Sequence, residues 1–192
     1  MLKLFALKRE QHKSRQAANN AMAASRVSSA RLRIAKDIGD LNLSDGCEIQ
    51  FPDPDDLLAF KVVICPDEGF YKGGRFEFSF RVGPDYPHEP PRVRCDTAVY
   101  HPNIDLEGNV CLNILRHEWS PVLSVGSLVC GLLHLFLEPN PEDPLNREAA
   151  DMLAADSQLF ASTVNMAMLG GTIAGKKFQR CLLEGDERRL FR

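Results

Sequence analysis

The hydrophobic positions that follow residue 28 repeat at the spacing of a helix. Three apolar residues stand at i, i+4 and i+7, which is the spacing of one buried helical face: Ile34, Ile38 and Leu41. Three basic residues fall mostly off this face: Arg31, Arg33 and Lys36. The pattern predicts an amphipathic helix with a basic outer side.

The next stretch changes to the spacing of β-strands. Four segments are predicted to be strands: 47–51, 57–65, 75–82 and 92–95. In the third segment, phenylalanines at every second position alternate with charged or small polar residues. Because the connectors are short and rich in turn residues, they suit hairpins rather than helical crossovers. We therefore expect an antiparallel meander with one face exposed to water.

Residues 96–123 carry turn signals with little periodicity, and an irregular segment of this length inside a compact domain is often functional. Apolar residues then return to helical spacing over 125–136, with Ser124 as a candidate N-cap and Pro139 ending the run. This segment is predicted to be the core helix.

The last part of the chain begins with a proline-rich loop over 139–146. Residues 146–169 and 172–183 are predicted to form two or three further helices, broken at the glycine pair 170–171. One helix, four strands, an irregular segment and then helices is the element order of an α+β fold.

Charge and composition divide the chain into three parts. The first 27 residues hold six Lys or Arg and one Glu, whereas the remainder holds 17 Lys or Arg and 25 Asp or Glu. Residues 11–29 are small and polar, which is linker composition. We expect a flexible extension over 1–27 that touches a partner, one core domain over 28–183 and a polar tail over 184–192. A domain of this size can bury a core without a disulfide or a metal.

The six cysteines are scattered, with no C-x-x-C pair and no Cys/His cluster at zinc spacing. This favours reduced thiols in the cytoplasm or nucleus and no bound metal or cofactor. Four cysteines inside predicted strands or the core helix are expected to be buried small hydrophobes: Cys47, Cys65, Cys95 and Cys130. No apolar run approaches 18 residues, and no aromatic residue beyond Phe5 interleaves the basic tail, so we expect neither a membrane nor a nucleic-acid partner.

The stretch YHPNIDLEGNVCLNIL, residues 100–115, places His101, Pro102 and Asn103 in a row and Cys111 eight residues after the Asn. A Cys-His-Asn hydrolase is one hypothesis, although such residues usually come from distant parts of a chain. His101, between Tyr100 and Pro102, is better explained as a structural residue that holds backbone groups of the loop. Cys111 has few basic neighbours to stabilise a thiolate, which suits a substrate that arrives already activated as a thioester. A non-catalytic binding module is the other alternative.

This segment resembles the active-site segment of the ubiquitin-conjugating enzyme family, in which His-Pro-Asn precedes the acceptor cysteine by eight residues. The resemblance continues through three further blocks: YPHEPP (86–91), WSPVLSV (119–125) and PNPEDPLN (139–146). It implies the α+β ubiquitin-conjugating fold, with an N-terminal helix, a four-stranded antiparallel meander, a core helix and C-terminal helices.

The resemblance also implies roles for the residues of the motif. Cys111 would receive the C-terminal carboxyl of a ubiquitin-like modifier from a heterodimeric activating enzyme and pass it to a substrate lysine. His101 and Pro102 would structure the loop. Asn103 would either donate to the tetrahedral oxyanion or brace the loop. Asp143 would orient the incoming amine first and accept its proton second, and it could also cap the following helix.

The N-terminal tail resembles that of the neddylation-specific branch of the family, which begins with a similar Met-hydrophobic-Lys-Leu-Phe run. By this resemblance, apolar residues of the tail and basic residues of the first helix dock on the activating enzyme: Met1, Leu4, Phe5, Leu7, Arg31, Arg33 and Lys36. A ubiquitin-specific enzyme with an unusual tail is the alternative.

The same resemblance implies a RING-type ligase and its cofactor as partners. The residues expected to contact them are Met1, in acetylated form, and His88, Trp119, Ser120 and Pro121. Cullins would be the substrates. We expect the protein to act as a monomer.

Overall fold

The computed structural model describes residues 29–183 and, before them, residues 16 and 22. The predicted docking residues Met1, Leu4, Phe5 and Leu7 and the tail over 184–192 lie outside the described residues.

Residues 29–39 are helical and form α1. Its inward face is formed by Ala30, Ile34 and Asp37. Asp37 can be buried because its carboxylate is hydrogen-bonded inside the fold. Of the predicted stripe, Ile38 is only half-buried and Leu41 lies beyond the end of the helix. The predicted helix is confirmed, whereas the residues of its buried face were only partly predicted.

Four strands form one sheet in the order β1-β2-β3-β4, and each strand is antiparallel to the next. They are β1 (Cys47–Gln50), β2 (Ala59–Ile64), β3 (Phe76–Arg81) and β4 (Arg92–Cys95). The phenylalanines of β3 are buried, and the polar residues between them face the other side. The predicted meander with one wet face is confirmed.

The core helix α2 (Val125–Leu137) packs on the buried face of the sheet. The ring of Phe136 stacks on that of Phe76 with centroids 4.3 Å apart. At the start of the helix, Ser124 and Ser127 form a reciprocal capping box, which satisfies two backbone N–H groups. Before α2, the described irregular segment contains one short 3₁₀ helix (Asn113–Leu115).

Two helices follow the proline-rich loop: α3 (Arg147–Ala155) and α4 (Ser157–Met168). The prediction of helix over 172–183 is wrong, because the chain there forms a hairpin of two short strands, β5 (Thr172–Ile173) and β6 (Lys176–Lys177). The turn between them places Ala174 and Gly175 at positive φ, 47° and 79°. Successive positive φ values reverse the chain tightly and are incompatible with a right-handed helix.

Cys95 and Cys111 are buried, and none of the six cysteines forms a disulfide. The expectation of burial is wrong for Cys130, which lies on the solvent side of α2, and only partly right for Cys47 and Cys65, which are half-buried. In the part of the chain that the structure describes, no helix is long and apolar enough to cross a membrane.

Candidate active site

The loop before the cysteine is built around a buried imidazole. His101 Nδ1 accepts a hydrogen bond from the backbone N–H of Asn103 at 2.9 Å, so Nε2 carries the proton and donates to the carbonyl of Leu135 at 3.0 Å. The ring also stacks against Tyr71 with centroids 4.9 Å apart. Burial lowers the pKa of His101 to about 3, so the ring is neutral near pH 7. Both nitrogens are occupied, so His101 is not available as a base for Cys111.

Pro102 joins this loop to the proline-rich loop. Its carbonyl oxygen accepts hydrogen bonds from the backbone N–H groups of Leu145 and Asn146, each at 2.9 Å. The same Asn146 caps α3, because its side chain accepts from the backbone of Ala149. Asp143 is therefore not the cap of the following helix.

The side chain of Asn103 is fully engaged with the proline-rich loop. Its Nδ2 donates to the carbonyl of Asn140 at 2.7 Å and to that of Asp143 at 3.3 Å, and its Oδ1 accepts from the N–H of Asn140 at 2.9 Å. Its own carbonyl accepts from the N–H of Cys111 at 2.8 Å. Asn103 thus holds the segment of Asp143 and the segment of Cys111 together.

Cys111 is buried, and its thiol donates a hydrogen bond to Oδ2 of Asp143 at 3.2 Å. The pKa of Cys111 is raised above its ordinary value, first by burial and then by the hydrogen bond to the Asp143 carboxylate, while the positive charge of Arg116 opposes the shift. In this state the group is a thiol rather than a thiolate.

A cavity of about 580 Å³ lies beside the thiol. It is lined by residues of α2, including Gly131 and Leu135, by the segment 112–114, and by the proline-rich loop with Asp143. The cavity therefore joins the sulfur of Cys111 to a surface of α2.

The structure brings together the described residues that are predicted to contact a ligase. The indole N–H of Trp119 donates to the carbonyl of Pro87 at 2.8 Å, which joins the loop of His88 to the loop of Ser120 and Pro121. His88 and Pro121 are exposed, whereas Trp119 and Ser120 are half-buried.

The three basic residues of α1 differ in their surroundings. Arg31 and Lys36 are exposed, and Arg31 donates to the carbonyl of Asp55 at 2.7 Å. Arg33 is half-buried and forms an ion pair with Asp37 at 2.8 Å. Arg33 is thus committed to contacts within the fold.

Comparison with known proteins identifies the family. The sequence pattern of the family described as ubiquitin-conjugating enzyme matches residues 33–168. The chain belongs to the ubiquitin-conjugating enzyme family. The predicted fold is confirmed, and the chain is an enzyme that transfers a ubiquitin-like protein through a thioester.

The chain is similar to NEDD8-conjugating enzymes over most of its length. It is 57% identical over 184 residues to the Nedd8-conjugating enzyme UbcE2M of Drosophila melanogaster, across 96% of this chain and 100% of the relative. It is 51% identical over 184 residues to the NEDD8-conjugating enzyme Ubc12 of Arabidopsis thaliana, across 95% and 100% of the two chains. The solved structure of S. cerevisiae Ubc12 superimposes with a TM-score of 0.78 at 41% identity, covering 91% of this chain and 98% of that one.

Proposed function

We propose that this enzyme accepts a modifier of the NEDD8 type on Cys111 and transfers it to lysines of substrate proteins. The observation that carries the proposal is the position of Cys111, whose sulfur lies 3.2 Å from a carboxylate oxygen of Asp143, and both residues line the same cavity. The names of the relatives, which cover nearly the whole chain, support NEDD8 as the modifier.

In the loading step, the sulfur of Cys111 attacks the thioester carbonyl that joins the modifier to the activating enzyme. The new S–C bond forms as the old one breaks, and the proton of Cys111 passes to the departing thiolate. The raised pKa of Cys111 makes its thiolate scarce but intrinsically more nucleophilic. Because a thioester is exchanged for a thioester, the step needs no strong activation of the thiol.

In the transfer step, a lysine amine attacks the thioester carbonyl and expels the thiolate of Cys111. With an ordinary pKa of about 10.4, only about one lysine in 2,500 is neutral at pH 7. Once Cys111 is acylated it has no proton to donate, so the Asp143 carboxylate loses the hydrogen bond that it accepts in the free enzyme. That carboxylate can then orient the amine and accept its proton.

Asn103 serves this site by bracing the loops. Its side-chain amide already donates to two carbonyls, so an additional role toward the tetrahedral oxyanion would require one of these bonds to open. We therefore give priority to the bracing role, in which Asn103 fixes the distance between Cys111 and Asp143.

The partners proposed for the chain come from its resemblance to the neddylation branch of the family. A heterodimeric activating enzyme would dock Met1, Leu4, Phe5 and Leu7 together with the exposed Arg31 and Lys36. A RING-type ligase would bind the paired loops of His88 and Trp119, and its cofactor would bind acetylated Met1. Cullins are the proposed substrates, in the cytoplasm and nucleus.

The choice of modifier is tested by comparing two charging reactions. The protein is incubated with ATP and either NEDD8 with its activating enzyme or ubiquitin with its own, and the rate of thioester formation is measured on non-reducing gels. We expect charging with NEDD8 to be the faster by far. Faster charging with ubiquitin would identify a ubiquitin-conjugating enzyme with an unusual tail, and charging with neither would contradict the proposal.

A further inference from the structure

A buried carboxylate lies outside the catalytic loop and collects donors from three separate parts of the chain. Asp37 of α1 is 6% exposed. It accepts hydrogen bonds from Nε of Arg33 at 2.8 Å, from the hydroxyl of Tyr86, and from the backbone N–H of Val125 at 3.4 Å, which is the first residue of α2. Nothing in the transfer reaction uses this group.

Arg33 extends the contacts of Asp37 to the loop before α2. Its two terminal nitrogens donate to the carbonyl of Pro121 at 2.9 Å and to that of Leu123 at 2.8 Å. These carbonyls flank Val122, whose side chain is 87% exposed. Arg33 therefore holds both sides of an apolar residue that points into solvent.

Tyr86 extends the contacts of Asp37 to the second loop. Its hydroxyl donates to Asp37, and its ring lies against that of Trp119 with centroids 5.9 Å apart. Trp119 in turn donates to the carbonyl of Pro87. The loops 86–88 and 119–123 are thus connected to one carboxylate, and both carry residues proposed to contact the ligase.

Burying a carboxylate is costly unless it is well paired, and an apolar contact could hold a helix against two loops equally well. What the carboxylate adds is direction, because charge-assisted hydrogen bonds fix the angles as well as the distances between groups. We infer that Asp37, through Arg33 and Tyr86, is a positioning residue that presets the loops 86–88 and 119–123, with Val122 at the tip, for a RING-type ligase. The inference rests on the proposed function in taking the ligase as the partner.

The first arm of the test needs no ligase. Trp119 is the single tryptophan of the chain, so its fluorescence reports on the paired loops. We expect Asp37→Asn, in the full-length protein and well below its unfolding temperature, to shift the emission to longer wavelength and to increase quenching by acrylamide. Asp40→Asn is the matched control, because it makes the same chemical change three residues later at an exposed position.

The second arm measures discharge of the preformed modifier thioester onto free lysine while the RING subunit of a cullin ligase is titrated. We expect Asp37→Asn to discharge like wild type without the ligase and to need roughly tenfold more ligase for half-maximal stimulation. Asp40→Asn should match wild type in both respects. If Asp37→Asn does not fold, Tyr86→Phe, which removes only one hydroxyl, takes its place.

The outcomes separate the inference from the proposed function. A wild-type enzyme that no RING subunit stimulates contradicts the proposed ligase partnership itself. If the wild type is stimulated but Asp37→Asn responds at the same ligase concentration, or leaves Trp119 emission unchanged, the positioning role is overturned. Equal loss of ligase-free and ligase-stimulated discharge would also overturn it, because that result indicates general damage to the fold.

Discussion

The residues of the active-site loops are held by backbone groups more than by one another. His101 binds the backbone of Asn103 and Leu135, and Asn103 binds the backbone of Asn140. The contact between Cys111 and Asp143 is the exception, because it joins two side chains. Burial and this contact both favour the protonated thiol in the free enzyme. In the proposed mechanism, acylation of Cys111 would free the carboxylate for the incoming lysine.

The first prediction concerns the thiol. We expect Asp143→Asn to lower the pKa of Cys111, because the substitution removes the carboxylate that stabilises the protonated thiol. The pKa should remain above its ordinary value, since burial is the larger cause of the shift. Alkylation of Cys111 by iodoacetamide at pH 7–8 should therefore be faster in the variant.

The alkylation is followed by peptide mass spectrometry in a Cys130→Ser background, because Cys130 is exposed and would react as well. Glu142→Gln is the control, since this neighbouring residue is also acidic and exposed, whereas the thiol donates its hydrogen bond to Asp143. An unchanged or slower rate for Asp143→Asn would show that the carboxylate does not hold the thiol protonated.

The second prediction concerns acid stability. Native His101 has a pKa of about 3, whereas an unfolded histidine titrates near 6.5. Between these values the unfolded chain binds a proton that the native protein does not, so the free energy of unfolding falls as the pH falls. The contribution of His101 should approach about 1.4 kcal/mol per pH unit below 6.

Urea unfolding between pH 7 and pH 4 measures this dependence. His101→Gln cannot bind the proton, so its stability should fall less steeply with decreasing pH than that of wild type. Equal slopes for the two proteins would mean that His101 does not stay neutral in the native state.

At the scale of the elements, the core helix α2 has a clear sequence signal but contains two glycines, one of which is explained by packing. Glycines at 126 and 131 each cost a helix up to about 1 kcal/mol relative to alanine. A Cβ at Gly131 would lie 2.9 Å from Cδ1 of Ile114 and 3.2 Å from Cδ2 of Leu112, which belong to the segment just after Cys111. A Cβ at Gly126 would meet nothing closer than 3.4 Å.

We therefore expect opposite effects from the same substitution at these two glycines. Gly126→Ala should raise the free energy of unfolding by about 0.5–1 kcal/mol, because it removes the helix penalty without a clash. Gly131→Ala should lower it by about 1 kcal/mol, because Ile114 and Leu112 must both yield. Urea denaturation measures the two changes.

Ile114→Val removes the methyl group that the new Cβ would approach most closely. Gly131→Ala should therefore destabilise the Ile114→Val variant less than it destabilises wild type. If Gly131→Ala is as stable as Gly126→Ala, the neighbouring side chains simply rotate away, and the close packing at this glycine has no energetic role.

Most elements could be predicted from the sequence, including the four-residue strands β1 and β4, but the two-residue strands could not. The alternation in β3 and the helical spacing in α2 extend over enough residues to identify both elements. The strands β5 and β6 have two residues each, so they give no periodic signal. Their hairpin reverses at Ala174 and Gly175, and the chain after it forms a bridge between Leu182 and the distant Gly74.

At the scale of the whole molecule, the chain joins parts that are distant in sequence at two centres. One links Cys111 with Asp143 through Asn103, and the resemblance to the ubiquitin-conjugating enzyme family pointed to these residues. The other links Asp37 with Tyr86, 49 residues apart, and no motif indicates it. The spacing of Ala30, Ile34 and Asp37 fits one helical face. From the sequence alone, however, an aspartate is expected to be exposed to solvent and not part of a buried face. Only the fold shows that hydrogen-bond donors surround it.

The most direct measurement is the mass of the adduct that forms with NEDD8, ATP and the NEDD8-activating enzyme. It compares wild type with Cys111→Ser and with Cys130→Ser, which changes the exposed cysteine. Wild type and Cys130→Ser should gain one modifier through a bond that a reductant cleaves, and Cys111→Ser should gain none or form a reductant-resistant ester. A reductant-sensitive adduct on Cys111→Ser would contradict the account.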